Sequence, residues 1–543
     1  MQPIQLLITG ASIVDGTGAA PYAGAVAVLP PDDAGIARMT ILRDQVAIDA
    51  ARGTARRSIE AAGKVVAPGF IDVHSHSGLM LLAQPDHLPK VRQGVTTEIV
   101  GVDGLSYAPF VSAEDLAAFT EMNAGLDGDP RPAIKLDWSS VATYLRRFDA
   151  GMALNVGMLV GNSALRLAAI GWYDRPADDR AMATMRSMLG EAMVEGAFGL
   201  STGLDYPPGA YATTEELATL ANEAARHGGF YHSHVRYTLG DRFLDPFREA
   251  IEIGRRGEAP SHITHFYHRT TFPGSPEDML ALVDDARAEG LDVTFDAYPY
   301  EWASTRLLIT IPMWVQEGGP GPTKERLADR RVRERIRSEL QERGVLYAGE
   351  RGIAAIRLGA FTRPEHRAWE GMSLGELGVA TGRDLVDLVC DLLLEENLRV
   401  NQVTPGPHTD GIRRFYQHPI SMVGTDSTFV GDRPSPRTYG SYPRILGQFV
   451  REEALLTLEA AVAKMTSMPA DRLGLRHRGR LVDGHVADVV VFDPAKVRAN
   501  ATYEEPRRFP DGIEHVIVNG THVIEYGVST GARPGRALRH GRD

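Results

Sequence analysis

The chain has 543 residues, 43% of them apolar and 24% charged, with a net charge of −12. This is the composition of a soluble globular protein with more than one domain, and its acidic balance without a long basic stripe excludes a nucleic-acid footprint. No apolar run reaches membrane-spanning length, and a single cysteine, Cys390, excludes an intrachain disulfide framework.

The N-terminus, Met1-Gln2-Pro3-Ile4-Gln5, carries neither a charged region nor a long apolar one, so a cytoplasmic protein is expected. Residues 1–66 read as short strands and turns. Leu6-Leu7-Ile8-Thr9-Gly10, Ala11-Ser12-Ile13-Val14 and Ala25-Val26-Ala27-Val28 are strand-like, with turns at Asp15-Gly16-Thr17-Gly18 and Pro30-Pro31-Asp32-Asp33. From residue 67 the texture changes to alternating strands and helices. Strand candidates are Gly69–His74, Thr97–Val100, Asn155–Val160, Gly199–Ser201, Phe230–His234, His262–His265, Asp292–Asp296 and Ile420–Gly424. Helical stretches such as Thr214–His227, with Thr214 as its cap, and Glu277–Glu289 lie between them. About eight such units imply an α/β fold of the (β/α)8, TIM-like barrel type over 67–432, whose active site would lie at the C-terminal strand ends.

Residues 306–352 break the rhythm with Pro312, Gly318-Gly319-Pro320-Gly321-Pro322 and a charged run, Lys324–Arg343, read as a solvated helix. An insertion after a barrel strand sits over the site, so a lid is expected there. Cys390 lies in an amphipathic helical stretch, where a buried small apolar residue is expected. Over 433–543 the β texture returns. Ala487–Asp493 is an apolar strand, and His515–Ile524 reads as a hairpin turning at Asn519-Gly520. Two β-rich ends around a different middle predict that 1–66 and 433–543 pair into one small β-sandwich. The arginines at 533, 536, 539 and 542 read as a solvated tail.

The stretch Pro68-Gly69-Phe70-Ile71-Asp72-Val73-His74-Ser75-His76 ends an apolar run in two histidines spaced i, i+2. In a strand that spacing puts both imidazoles on one face, where they can share a metal ion. Other strand ends carry matching residues: His232 and His234, His262 and His265, and Asp426 in Val423-Gly424-Thr425-Asp426. Spacing does not choose between His232 and His234. His262 has the opposite parity to His265, and His268 lies in the following loop, so these three are read as core, supporting or loop residues.

With His234, His265 and Asp426, the Pro-Gly-Phe-Ile-Asp-Val-His-Ser-His stretch resembles the amidohydrolase superfamily. Leu200–Gly209, Asp296-Ala297-Tyr298-Pro299-Tyr300, Tyr439–Arg444 and Thr530–Arg536 resemble, within it, the D-aminoacylase (N-acyl-D-amino-acid deacylase) family, over nearly the whole chain. The resemblance implies that His74 and His76 hold one metal, and His234 and His265 another, with zinc the expected ion. The family's bridging ligand after the second strand is commonly a cysteine, and Asp103 stands at that position. A carboxylate can bridge but is a harder ligand than a thiolate. Asp426 would be a metal ligand as well as the general base. Arg437, Tyr298 and Ser304 match positions that clamp the substrate carboxylate. The family's usual lysine, two residues after His265, is Tyr267 here, so a charge is lost and an altered headgroup preference is expected.

The implied activity is metal-dependent hydrolysis of small N-acyl-D-amino acids, by a metal-activated water with Asp426 as base. Dipeptides with a C-terminal D residue present the same bond. A cyclic-amide hydrolase would carry a lysine after strand four, and none occurs in Ala197–Gly203 or near Asp205. A non-catalytic barrel protein would have lost ligands or base, yet every position holds a competent residue.

Overall fold

A computed structural model describes residues 3–237, 244–344, 351–406 and 411–543. Among the described residues the strands form five sheets. Two of them hold the eight parallel strands: β1 (Phe70–Asp72), β2 (Val95–Val100), β3 (Asn155–Met158), β4 (Gly199–Gly203), β5 (Phe230–His234), β6 (Ser261–Ile263), β7 (Val293–Ala297) and β8 (Ser421–Val423). One sheet runs β3-β2-β1. The other begins with the short strand Val160–Gly161 and continues β4-β5-β6-β7-β8. Every neighbouring pair in both is parallel.

The ladders do not run as one closed ring. At one junction Leu159 interrupts the chain between the sheets, where its N–H donates to the Val100 carbonyl at 2.9 Å. At the other junction β1 is only three residues long. There the chain bends at His74–Ser77, leaving a single bridge between Ser75 and Ser427 and the bonds Asp426 N–H to His74 O (2.9 Å) and His76 N–H to Ser427 O (3.0 Å). These two bonds hold the first and last strand ends together, which is what brings His74, His76 and Asp426 into one place.

Both ends of the chain share a third sheet. Its order is Val528–Ser529, Thr521–Glu525, Ile513–Val518, Val489–Phe492, Val65–Pro68, Ser12–Ile13, Tyr22–Ala23. The join is the antiparallel pairing of Val489–Phe492 with Val65–Pro68. Alternate residues face opposite ways. Val66, Val489, Val491 and Ile517 pack with Leu6, Ile8, Val26 and Val28 of a four-stranded N-terminal sheet. Ala67, Val490, Phe492 and Val516 pack into the core of the parallel strands. Burial on both faces explains the uninterrupted apolar run at 489–492. The hairpin turns at Asn519 (φ 52°) and Gly520 (φ 87°), the positive-φ pair a two-residue turn requires. A Cβ at 520 would lie 2.2 Å from that of Ala37. The C-terminal segment reaches this sheet only after the helices Leu458–Met465 and Ser467–Leu473.

The segment between β7 and β8 is larger than the expected 306–352 insertion. Ala303–Arg306, Asn401–Thr404 and Arg357–Gly359 form an antiparallel sheet of their own. The charged run is two helices, Pro320–Ala328 and Arg330–Arg343, broken at Asp329, whose carboxylate caps the second by accepting from Arg331 N–H at 2.7 Å. Cys390 is buried, as expected. The helix at Thr214–Arg226 is capped by Thr213, one residue earlier than expected, because the Thr213 hydroxyl is the one that accepts from Glu216 N–H.

Candidate metal centre

Of the residues singled out at strand ends, His232 and His262 lie within their strands, whereas the six candidate ligands lie just past the C-terminal end of a parallel strand or on its last residue. His74 and His76 follow β1, Asp103 follows β2, His234 ends β5, His265 follows β6 and Asp426 follows β8. All six are buried. Asp103, His265 and Asp426 have positive φ (52°, 35° and 47°). For residues with a side chain such backbone costs about 1–3 kcal/mol each and persists only where the surroundings hold it. Gly424 is held small for a related reason, since a Cβ there would lie 2.6 Å from Asp296 Cγ and 2.9 Å from His74 Cβ.

Asp103 is the centre of the group. Its Oδ2 lies 3.4 Å from His74 Nε2, 3.5 Å from His76 Nε2, 3.4 Å from His234 Nδ1 and 3.5 Å from His265 Nε2. Asp426 Oδ1 lies 3.6 Å from His74 Nε2 and 3.2 Å from His76 Nε2. Two overlapping donor sets result: His74, His76, Asp103 and Asp426, and Asp103, His234 and His265. His234 Nδ1 and His265 Nε2 face each other at 2.9 Å. Imidazole nitrogens and carboxylate oxygens converging in this way fit a divalent cation such as zinc.

Supporting residues fix the rings. His76 Nδ1 lies 2.7 Å from Asp127, which also accepts from Tyr107 OH at 2.6 Å. His234 Nε2 lies 3.1 Å from Asp205. Asp296 lies 3.5 Å from His74 Nδ1 and 3.0 Å from His262 Nε2, and it accepts from His265 N–H at 2.8 Å. A carboxylate behind a ligand imidazole sets its tautomer and orientation. His232 lies one layer deeper, stacked on His262 at 5.3 Å, and with His74 and Asp296 it forms a further group within ligand range.

The electrostatics are those of a site built for positive charge. Burial alone would depress His74, but the carboxylates of Asp103, Asp296 and Asp426 raise it to about 10. His76 is raised well above the usual range against the same burial, chiefly by Asp127. Burial would raise Asp103 and Asp426, yet both are held below the usual carboxylate range, Asp103 by His74 and its other imidazoles and Asp426 by Arg437 and His74.

Of the residues expected to clamp substrate, Arg437 contacts Asp426 directly. Arg437 is fully buried, with Nη1 2.9 Å from Asp426 Oδ2 and Nη2 donating to the Ser304 carbonyl at 2.9 Å. Its guanidinium sits 4.5 Å over the Tyr298 ring. The Ser304 hydroxyl faces Asn401 Oδ1 at 3.4 Å. Tyr267 is buried and packs 5.3 Å from the His265 ring.

Residues 57–330 and 386–524 match the amidohydrolase family. The chain belongs to that family. This amidohydrolase is 34% identical to D-aminoacylase of Alcaligenes xylosoxydans xylosoxydans, over 99% of the chain and 98% of that protein. It is 35% identical to N-acyl-D-glutamate deacylase of the same organism, over 99% and 97%. Its fold matches the crystal structure of N-acyl-D-glutamate deacylase from Bordetella bronchiseptica, complexed with zinc and a phosphonate inhibitor, with a TM-score of 0.81 at 33% identity, covering 99% of this chain and 100% of that one.

Sequence reasoning did not find the supporting carboxylates of this amidohydrolase. Asp127 stands 51 positions from His76 in the last turn of the helix Ala113–Asp127. Asp205 follows β4 in a turn. Asp296 was visible only as part of the Asp-Ala-Tyr-Pro-Tyr stretch, with no role attached. No spacing rule links these residues to the histidines they hold.

Proposed function

We propose that this amidohydrolase hydrolyses the amide bond of N-acyl-D-amino acids, with zinc held by His74, His76, Asp103, His234 and His265, and with Asp426 as general base. The observation that carries this is Asp103 Oδ2 lying among four imidazole nitrogens with Asp426 alongside, in a chain that matches N-acyl-D-amino-acid deacylases end to end. The two parallel ladders are read as arcs of one (β/α)8 barrel over 67–432, supported by the hydrogen bonds at both junctions. The terminal sheets are read as a sandwich drawn from 1–66 and 433–543, supported by their shared apolar cluster. The segment between β7 and β8 is read as the lid.

A bound divalent ion supplies a Lewis acid for the scissile carbonyl and an acidified water. The chain's own residues do the rest. Asp426 is ionised at neutral pH, held so by Arg437 and His74. It takes the proton from the attacking water and returns it to the leaving amine nitrogen. Arg437, 2.9 Å away, fixes the carboxylate that makes both transfers. Asp127 and Asp205 keep His76 and His234 turned toward Asp103. Arg437, Tyr298 and Ser304 receive the substrate carboxylate, which orients the amide over Asp426.

The test is a screen of matched N-acetyl-D- and N-acetyl-L-amino acids against zinc-reconstituted protein, with amine release as the readout. Turnover of D substrates, with the L series at background, is expected. No turnover of any D substrate would overturn the assignment.

A further inference from the structure

We infer that Arg269 is a specificity-determining residue of this site, selecting N-acyl-D-amino acids whose side chain carries a carboxylate. The inference rests on the proposed deacylase function and names its substrate class. The starting point is the cation lost at Tyr267, which the fold returns from two residues further on. The Tyr267 ring stacks on Tyr237, with centroids 5.5 Å apart and planes 7° from parallel. The Arg269 guanidinium lies 4.1 Å over Tyr237 and 5.6 Å from the Tyr267 ring, with Nη2 donating to Tyr267 OH at 3.3 Å. Arg269 is itself only 6% exposed, so its charge is held beside the site instead of reaching into solvent.

These tyrosines belong to the metal centre. Tyr267 packs 5.3 Å from His265, and Tyr237 OH lies 3.4 Å from His265 Nδ1. Tyr298 continues the row on the other side, 6.3 Å from Tyr267, and carries Arg437 on its own face. The row Tyr298–Tyr267–Tyr237 is therefore bordered by two guanidinia, Arg437 on Tyr298 and Arg269 alongside the Tyr267–Tyr237 pair. Arg437 is committed to Asp426, Ser304 and the substrate's α-carboxylate. Arg269, held at the Tyr267 hydroxyl, is the second cation of this row. A guanidinium seated on aromatic rings is pre-organised for a planar anion, and a substrate with two carboxylates can answer both guanidinia.

The test compares N-acetyl-D-glutamate with the uncharged isostere N-acetyl-D-glutamine. A charge-assisted hydrogen bond in place of a neutral one makes an about tenfold or greater preference for glutamate in kcat/KM the expected wild-type result. Arg269→Met is expected to bring that ratio to about one, and Arg269→Lys to keep part of it. A wild-type ratio at or below one overturns the inference without using any variant, so a poorly folding Arg269→Met does not protect it. An Arg269→Met that lowers both substrates equally also overturns it, making Arg269 a packing element for the two tyrosines. Turnover of D substrates without this preference leaves the deacylase reading intact and removes only the inference. No turnover of either substrate, or of any other N-acyl-D-amino acid, removes both.

Discussion

Asp426→Asn is expected to lower kcat by about 10³-fold, within the range for loss of a general base, while fold and zinc content stay as in the wild type. Asparagine keeps the shape and tolerates left-handed backbone, which matters because residue 426 has φ of 47° and its N–H is bonded to His74 O at 2.9 Å. An amide oxygen can still face Arg437. What is lost is the proton acceptor. KM should change little if Arg437, Tyr298 and Ser304 carry substrate binding. Steady-state kinetics with an N-acetyl-D-amino acid, alongside metal analysis of the same preparation, read both quantities. Retention of full activity would show that Asp426 is not the base.

Lys90→Met is expected to destabilise the protein by about 3–5 kcal/mol, the cost of leaving one charge of a buried pair alone. Lys90 and Asp72 are both fully buried, and Lys90 Nζ donates to Asp72 and to Thr425 Oγ1. Asp72 does more than neutralise the lysine. Its Oδ1 accepts from His74 N–H at 3.1 Å and from Thr425 N–H at 3.0 Å, and its Oδ2 accepts from the Thr425 hydroxyl at 2.6 Å. One carboxylate thus holds the backbone just before Asp426 against the backbone of the first ligand. The single variant should therefore unfold at lower urea concentration and also bind zinc less tightly. Adding Asp72→Asn should recover part of the stability, because the stranded charge is removed. An unchanged unfolding midpoint for Lys90→Met would contradict this role.

The sequence made some of these features legible and hid others for physical reasons. The His74/His76 pair announces itself as two histidines ending an apolar run, although both lie past the three-residue β1, where the chain bends. So do the apolar runs at 25–28 and 489–492, whose burial is written into consecutive residues. His232 and His234 share a strand face, and only depth separates them: His232 is in register with His262, one layer below His234. Depth depends on the neighbouring strands and has no signature within β5. Ring closure was equally out of reach, since it turns on a three-residue β1 and the irregularity at Leu159. The small sheet at 303–306, 357–359 and 401–404 escaped because its strands are short and partly polar, as in Asn401-Gln402. Tyr267 is a neutral residue at the position of the family's lysine. Arg269 follows in a loop, where no periodicity says that a side chain two residues on folds back over the same ring.

The most direct measurement is a zinc titration of chelator-stripped protein, followed by hydrolysis of an N-acetyl-D-amino acid. Activity is expected to be absent in the stripped protein and to rise with added zinc, with His74→Ala failing to respond at the same concentrations. Full activity in the stripped protein, or an unaltered response in His74→Ala, would contradict a metal-dependent centre at these residues.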